Sequence, residues 1–535
     1  LYFFQLTIRT KALQIAFLGN IPMKKTVLIL VATTATGAFL VPAQAQPLSS
    51  QTTTDDKPAK AKGKSKRTTT AHENESEQVI VTGTRESHVK ARQSISPVVI
   101  ISSAALARSA EMNVANALTR IYPSITMSAR GSNTNSLVSS IQMRGLGPNE
   151  TLVLVDGKRR HSTANIVQKP GPQFAASGVD LNMLPENMID HIEILEDGAA
   201  AMYGSDAIAG VVNIITKKKD HGLSLSGQGG ANAYLGSGEQ FQLNADGGFK
   251  LGRDGYVHLG AQIYHSEHAV AWGPDHALLG YWPAGADTKN YFVGVKPGSE
   301  KWKGRKTDYL STPEETRENF GLNFGKPLGA DIELYGQATR AYRHAGMRAY
   351  KYPYVVPAMG IDELRPITGD DELDYGVTLG LKGHDFVGVD WNLSTVYGGD
   401  NSRISIRDNV NIGMLTRTGY SPSKFWDYTQ KNAQWTNNLD LRRSFTVMGM
   451  PMSLAFGGEH RLDSYQIISG NPESYLDGGP VEHAGIPPQS AGTWYRNVYS
   501  AYVDTTLRPT SKLSIDIAGR YEYYTDTNNT ENGKI

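Results

Sequence analysis

The chain has 535 residues, a formal net charge of +1 and no cysteine. Without thiols there is no disulfide framework and no thiolate metal site, and the near-neutral balance argues against a nucleic-acid partner held mainly by phosphate attraction. Past residue 45 no apolar run approaches the roughly 20 residues of a spanning helix, so any membrane span there must be built of closed strands.

Residues 1–22 precede a plausible start at Met23 and read as an upstream mistranslated extension, outside the fold argument. Met23, Lys24 and Lys25 open a positive n-region, residues 26–41 are apolar, and Ala43-Gln44-Ala45 is a small-residue site. Residues 23–45 therefore read as a signal peptide, with cleavage expected before Gln46. Residues 46–76 are rich in Thr, Lys, Ala and Glu. They bury too little apolar surface to offset the entropy of ordering, and read as a disordered tether.

A short β-prone run follows: Glu77, Gln78, Val79, Ile80, Val81 and Thr82, broken by Gly83 and ending at Arg85. Its β-branched residues suit two readings, an ordinary edge strand or a strand offered to another protein's sheet edge. Residues 86–219 have the texture of a mixed α/β domain. Strands are predicted at 97–101, 137–143, 151–155, 189–195 and 211–216. A helix is predicted at 111–121, because Val114, Ala117, Leu118 and Ile121 share one face.

Beyond Lys219 the pattern becomes long alternation. At 513–523, Leu513, Ile515, Ile517, Tyr521 and Tyr523 fall on one side, and Ser514, Asp516, Arg520 and Glu522 on the other, the pattern of a lipid face against a wet lumen. About 11 such segments run near 223–233, 239–250, 255–268, 316–327, 330–343, 372–383, 386–401, 433–449, 451–465, 495–507 and 513–525. Short connections alternate with long ones, as in bacterial outer-membrane barrels. Tyr264, Tyr397, Tyr465, Tyr499 and Tyr524, near segment ends, would suit interfacial girdles.

Other motifs are weak. Gly145-Leu146-Gly147 lacks the third glycine and the helix of a dinucleotide loop. Ser421 and Lys424 match a Ser-x-x-Lys pattern without the helix that would activate the serine. His265 and His268 point to opposite faces of a strand, which disfavours a joint metal site. No catalytic residue, metal site or cofactor is assigned.

Four stretches, in order, resemble TonB-dependent receptors: residues 77–85; Ile141 to Gly145 (Ile-Gln-Met-Arg-Gly); Thr151 to Gly157 (Thr-Leu-Val-Leu-Val-Asp-Gly); and residues 189–198 running into 203–215. The resemblance implies an α+β plug domain (86–219) inside a transmembrane antiparallel β-barrel (220–535), with about 11 of an expected 22 strands present. An odd count cannot close such a barrel, and Ile535 is not the usual terminal aromatic, so a truncated product or fragment is expected. Asp197-Gly198-Ala199 stands where many members carry Arg-Gly-Pro.

The same resemblance makes Glu77 to Thr82 the TonB box, which pairs as an added strand with the C-terminal domain of TonB. It implies a monomeric receptor in the Gram-negative outer membrane, in contact with lipid, for active uptake of a ferric siderophore, cobalamin or oligosaccharide, and not an enzyme. A passive porin or adhesin, or a non-transporting remnant, is the alternative. Solute-contact candidates in plug loops are Arg130, Asn133, Asn135, Arg160, His161 and Asn165. Arg144 resembles a plug arginine that pairs with a barrel glutamate, with Glu459 as the possible partner.

Overall fold

The computed structural model describes residues 4–8, 82, 95–127, 136–167, 174–232, 237–269, 312–329, 331–348, 352–356, 361–510 and 512–535. The expected signal peptide and tether, residues 77–81 of the expected TonB box, and Arg130, Asn133 and Asn135 lie outside these residues. In chain order the first strands are β1 (Phe4–Ile8), β2 (Val98–Ser102), β3 (Ile125–Thr126), β4 (Gln142–Met143), β5 (Thr151–Val155), β6 (Lys158–Arg159), β7 (Ile189–Leu195) and β8 (Gly210–Thr216). The long strands follow: β9 (Leu223–Asn232), β10 (Ser237–Leu251), β11 (Gly255–Ser266), β12 (Glu314–Pro327) and β13 (Ile332–Arg348). After a short hairpin, β14 (Tyr352–Val356) with β15 (Ile361–Leu364), come β16 (Ile367–Phe386), β17 (Val389–Arg407), β18 (Lys424–Val447), β19 (Met450–Ser469), β20 (Gly492–Thr510), β21 (Leu513–Tyr524) and β22 (Thr530–Lys534).

The plug is a five-stranded mixed sheet in the order β2-β7-β8-β5-β6, with β5 parallel to β8. Two helices cover one face, α1 (Ser103–Arg108) and α2 (Val114–Ile121). The Ser102 hydroxyl accepts from the Ala105 amide at 3.3 Å and caps α1. The apolar stripe of α2 is Val114, Ala117 and Leu118, which packs with Ile192, Ile194, Val212 and Ile214 of the sheet in one buried cluster. This is the stripe expected from the 3.6-residue period, although the helix begins later than predicted. The strand expected at 137–143 shrinks to β4, because Ser139 is engaged elsewhere. Its carbonyl accepts from the Leu181 amide and its hydroxyl from Asn182.

The long strands form a single antiparallel sheet running from β9 through β13 and β16 to β22, with β1 added on β9. All eleven expected segments are present, and β22 adds a short twelfth beyond them. The alternation predicted for β21 holds: Leu513, Ile515, Ile517, Tyr521 and Tyr523 are exposed, while Arg520 and Glu522 are buried. Several strands run further than the alternation suggested. The 24 residues of β18 far exceed the ~10 that a tilted strand needs to cross a bilayer, so its polar N-terminal third extends past any lipid band.

Three of the five tyrosines expected in girdles face inward instead. Tyr264 and Tyr524 are buried, and the Tyr465 hydroxyl donates to the plug carbonyl of Ala164 at 2.9 Å. Tyr397 and Tyr499 are on the exposed face. Position near a strand end does not fix which face a residue takes; parity along the strand does.

Candidate functional site

The plug meets the sheet through its inward polar face, and the contact is built from a tight turn. Asp156 and Gly157 both have positive φ, 48° and 77°, which reverses the chain between β5 and β6. The Gly157 amide donates to Asn213 Oδ1 at 2.9 Å, tying this hairpin to β8. Residues 160–165 leave β6 directly against β16 and β17.

There Arg160 donates to Asp374 Oδ1 and, at 2.8 Å, to Thr339. His161 Nε2 lies 2.9 Å from Asp374 Oδ2. Burial pushes the His161 imidazole below its usual range, Arg160 adds to the effect and Asp374 opposes it, which favours the neutral ring donating through Nε2–H. Space for both side chains comes from Gly376 and Gly398, which stand opposite each other in the β16–β17 ladder. A Cβ at Gly376 would come within 2.6 Å of the Arg160 guanidinium, and one at Gly398 would overlap the His161 ring. Next along, the Thr163 hydroxyl and the Ala164 amide donate to Asp400 Oδ2 at 2.9 and 2.7 Å.

Arg160, His161 and Asn165, expected from sequence in solute contact, are therefore buried: they are 9%, 5% and 1% exposed. The structure places Arg160 and His161 in the seam between plug and wall, where burial of polar groups has to be matched by hydrogen bonds. A second arginine anchors the same seam from the wall. Arg343 pairs with Glu372, donates to plug Asp180 at 2.9 Å and to the Leu137 carbonyl at 2.8 Å.

The expected Arg144–Glu459 pair does not form. Arg144 is exposed on a turn with φ 57° and donates to the Glu196 carbonyl at 3.0 Å, within the plug. Glu459 instead accepts from Asn438 at 3.1 Å and lies 3.5 Å from Arg520, a residue of the wall itself. The plug arginine facing this region is Arg159, which pairs with Asp206; Arg461 of β19 approaches the same carboxylate at 3.4 Å. Burial alone would raise the Asp206 carboxyl, but the two guanidinium groups outweigh it and hold it below the ordinary range. Beside it the Ser205 amide donates to Glu522 at 2.9 Å and the Ser205 hydroxyl meets Tyr524 at 2.7 Å. Sequence spacing could not choose between Arg144, just past β4, and Arg159, at the end of β6.

Thr82, the last residue of the expected TonB box, is fully buried on the plug sheet. Its hydroxyl donates to Glu193 Oε2 on β7 and accepts from Asn213 Nδ2 on β8 at 2.9 Å. Glu193 also approaches His191 at 3.4 Å, and His191 in turn bonds Asp190 at 2.8 Å. Burial works against a charged His191, but the two carboxylates prevail and raise it to about 9.

Sequence reasoning missed the wall carboxylates Asp370, Glu372, Asp374 and Asp400. Their signal was present, since 370, 372 and 374 alternate and so share the inner face. Near the end of the sheet that carries the long connections, Glu267, His268 and Glu314 bring one ligand atom each within 4.8 Å of one another. Arg407 donates to Glu314 there at 3.0 Å.

A mixed α/β domain held by polar contacts against the inner face of a long-stranded antiparallel sheet defines a plugged barrel of the outer-membrane type. Residues 90–211 match the TonB-dependent Receptor Plug Domain family model. The chain is 24% identical over 433 residues to the vitamin B12 transporter BtuB of Vibrio vulnificus, covering 74% of this chain and 65% of that protein. It is 35% identical over 142 residues to the ferric enterobactin receptor PirA of Pseudomonas aeruginosa, covering 26% and 18%. Among solved structures, the siderophore receptor PirA of Acinetobacter baumannii aligns with a TM-score of 0.55 at 18% identity, over 82% of this chain and 58% of that one. A variant of the ferric enterobactin receptor PfeA of Pseudomonas aeruginosa, in complex with enterobactin, aligns with a TM-score of 0.57 at 17% identity, over 82% and 59%. Residues 90–211 thus match the plug domain of TonB-dependent receptors, and the longer stretch is similar to receptors and transporters of that kind. The chain spans less than two thirds of the length of each of these relatives.

Proposed function

We propose that the chain is the plug and part of the barrel of a receptor for active uptake of a scarce solute, coupled to TonB through Glu77 to Thr82. The solute classes that fit the reading are a ferric siderophore, cobalamin or an oligosaccharide. The observation that carries it is the buried Thr82 hydroxyl between Glu193 and Asn213. A strand offered to TonB needs a firm attachment at its plug end if a pull on it is to reach the plug, and these two bonds supply one. No bond in the solute is broken, so the role is transport and not catalysis.

The partner is TonB, which takes the box by strand addition, an interaction made of backbone hydrogen bonds. Proline at Val81 removes one such donor and fixes φ. Val81→Pro is expected to abolish energised uptake by cells while surface binding of the solute persists. Uptake at the unmodified rate would sink the coupling role of residues 77–82.

A further inference from the structure

The outward face of the sheet carries a groove that the transport role does not use. It has a volume of about 720 Å³ and lies at the end of the sheet with the short connections, across β13, β16, β17 and β18. Its floor is apolar: Ile332, Trp391, Leu393, Leu439 and Leu441. Parity puts these side chains on the face opposite Asp374, Asp400 and Arg343, which meet the plug. The floor is continuous because Trp391 pairs with Gly383 on one side and with Leu441 on the other. A Cβ at Gly383 would come within 2.5 Å of the indole, so the missing side chain lets the ring rest on β16.

The mouth of the groove is formed by two turns, one of them strained. In the β16–β17 turn Asp385, Val387 and Gly388 all have positive φ, 54°, 56° and 77°. Glycine takes that conformation freely, whereas a β-branched valine resists it, and strain of this kind is kept where a particular surface has to be presented. The turn brings Asp385 and Phe386 to the groove, and Phe386 and Val387 stay exposed. The His384 amide donates to the Asp331 carbonyl at 2.9 Å, which fixes the β12–β13 turn beside it. Charge at the mouth is divided. Asp390 is matched by Arg442 at 2.6 Å and Glu333 by Lys382 at 3.0 Å. Asp331 and Asp385 also line the groove, and among the described residues neither has an ion-pair partner. The Arg443 guanidinium stands beside Gly388, 3.5 Å from where a Cβ would be. Two unmatched carboxylates next to a guanidinium complement a zwitterion whose cationic end donates hydrogen bonds and whose anionic end is a phosphate.

We propose that this groove is a site for one phospholipid of the phosphatidylethanolamine class, taken from the periplasmic leaflet. The proposal rests on reading the sheet as the wall of an outer-membrane barrel, in which short connections face the periplasm. An acyl chain lies along Leu393, Leu439 and Trp391, the phosphate meets Arg443, and the primary ammonium donates to Asp331 and Asp385. Trp391 is the third residue of β17, the level at which an interfacial indole belongs. Phosphatidylglycerol offers no cation to the two carboxylates. Phosphatidylcholine presents methyl groups where they need donors. The bound headgroup ties the β12–β13 turn to the β16–β17 turn, so the lipid acts as a staple on the periplasmic rim of the wall.

The test is native mass spectrometry of the whole chain in detergent micelles supplied with equal amounts of phosphatidylethanolamine, phosphatidylglycerol and phosphatidylcholine. One phosphatidylethanolamine should be retained per chain, about tenfold in preference to either competitor, the worth of roughly one charge-assisted hydrogen bond. Combining Asp331→Asn with Asp385→Asn should abolish the preference over phosphatidylglycerol, and Arg443→Gln should lower retention of both lipids alike. If the double aspartate variant does not fold, each single variant is expected to reduce the preference. Equal retention of the three lipids, no adduct at all, or a preference that survives the aspartate variants overturns the proposal. Heat-modifiable migration of the same samples separates the two ways of failing. Chain that never shows it refutes the barrel-wall reading and the groove with it, whereas heat-modifiable chain without the preference refutes the groove alone.

Discussion

The Thr82 hydroxyl donates to Glu193 Oε2 across 111 positions of sequence, and Asn213 donates back to the same oxygen at 2.9 Å. The end of the proposed TonB box is thus fixed to two neighbouring strands of the plug sheet, β7 and β8. Thr82→Val keeps the shape of the side chain but removes both bonds, leaving polar groups buried at a cost of about 1–3 kcal/mol. Urea titrations of the plug in the native and valine chains should differ by that amount. Equal stabilities would show that Thr82 holds nothing.

The same network has a charge that titrates. His191 sits between Asp190 and Glu193 and is raised to about 9, above the ~6.5 of a free imidazole. Because the folded value is the higher one, its contribution is complete below about 6.5 and is lost as pH climbs through about 9. The loss expected for the plug is on the order of 2 kcal/mol. Denaturant titrations of the plug at pH 6 and pH 9.5 should show this fall in the native chain and a flat response in His191→Gln.

Removing one member of the Arg160–Asp374 pair strands a buried charge. Asp374→Asn is expected to destabilise plug docking by about 3–5 kcal/mol, whereas replacing both residues with apolar ones of similar volume should cost much less. The measurement is plug release by urea, followed with the barrel still heat-modifiable. Equal losses in the single and double variants would mean that packing, not charge, holds residues 160–161.

Arg144 gives the contrasting case. It is exposed and makes one bond to a backbone carbonyl, so Arg144→Ala should change plug stability by less than about 1 kcal/mol. Arg159→Ala deprives half-buried Asp206 of its nearest cation and should cost more than Arg144→Ala in the same urea assay. A reversed order would restore Arg144 to the role that the family resemblance implied.

Much of the architecture was legible because it rests on periodicity. Parity along β21 sorted Leu513 and Ile517 outward and Arg520 and Glu522 inward, and the helical stripe of α2 was equally plain. The seam was harder to read. Arg160, His161 and Asn165 look like loop polar groups until the fold shows β16 and β17 lying against them. Pairing across more than 200 positions, as between Arg160 and Asp374, leaves no local trace. Partner choice failed for a related reason: Glu459 was found but its arginine was not, since a strand pattern gives the face of a residue and not what stands opposite.

Gly260 and Gly321 face each other in the β11–β12 ladder, as Gly376 and Gly398 do in β16–β17. A Cβ at either of the first pair would overlap plug Met188, and at the second pair would crowd Arg160 and His161. The wall is therefore a mould with two thumbprints, each pressed where side chains are missing on neighbouring strands. The docking position is written partly in what the barrel omits, so the plug can seat in a single register even if every charge along it were neutralised.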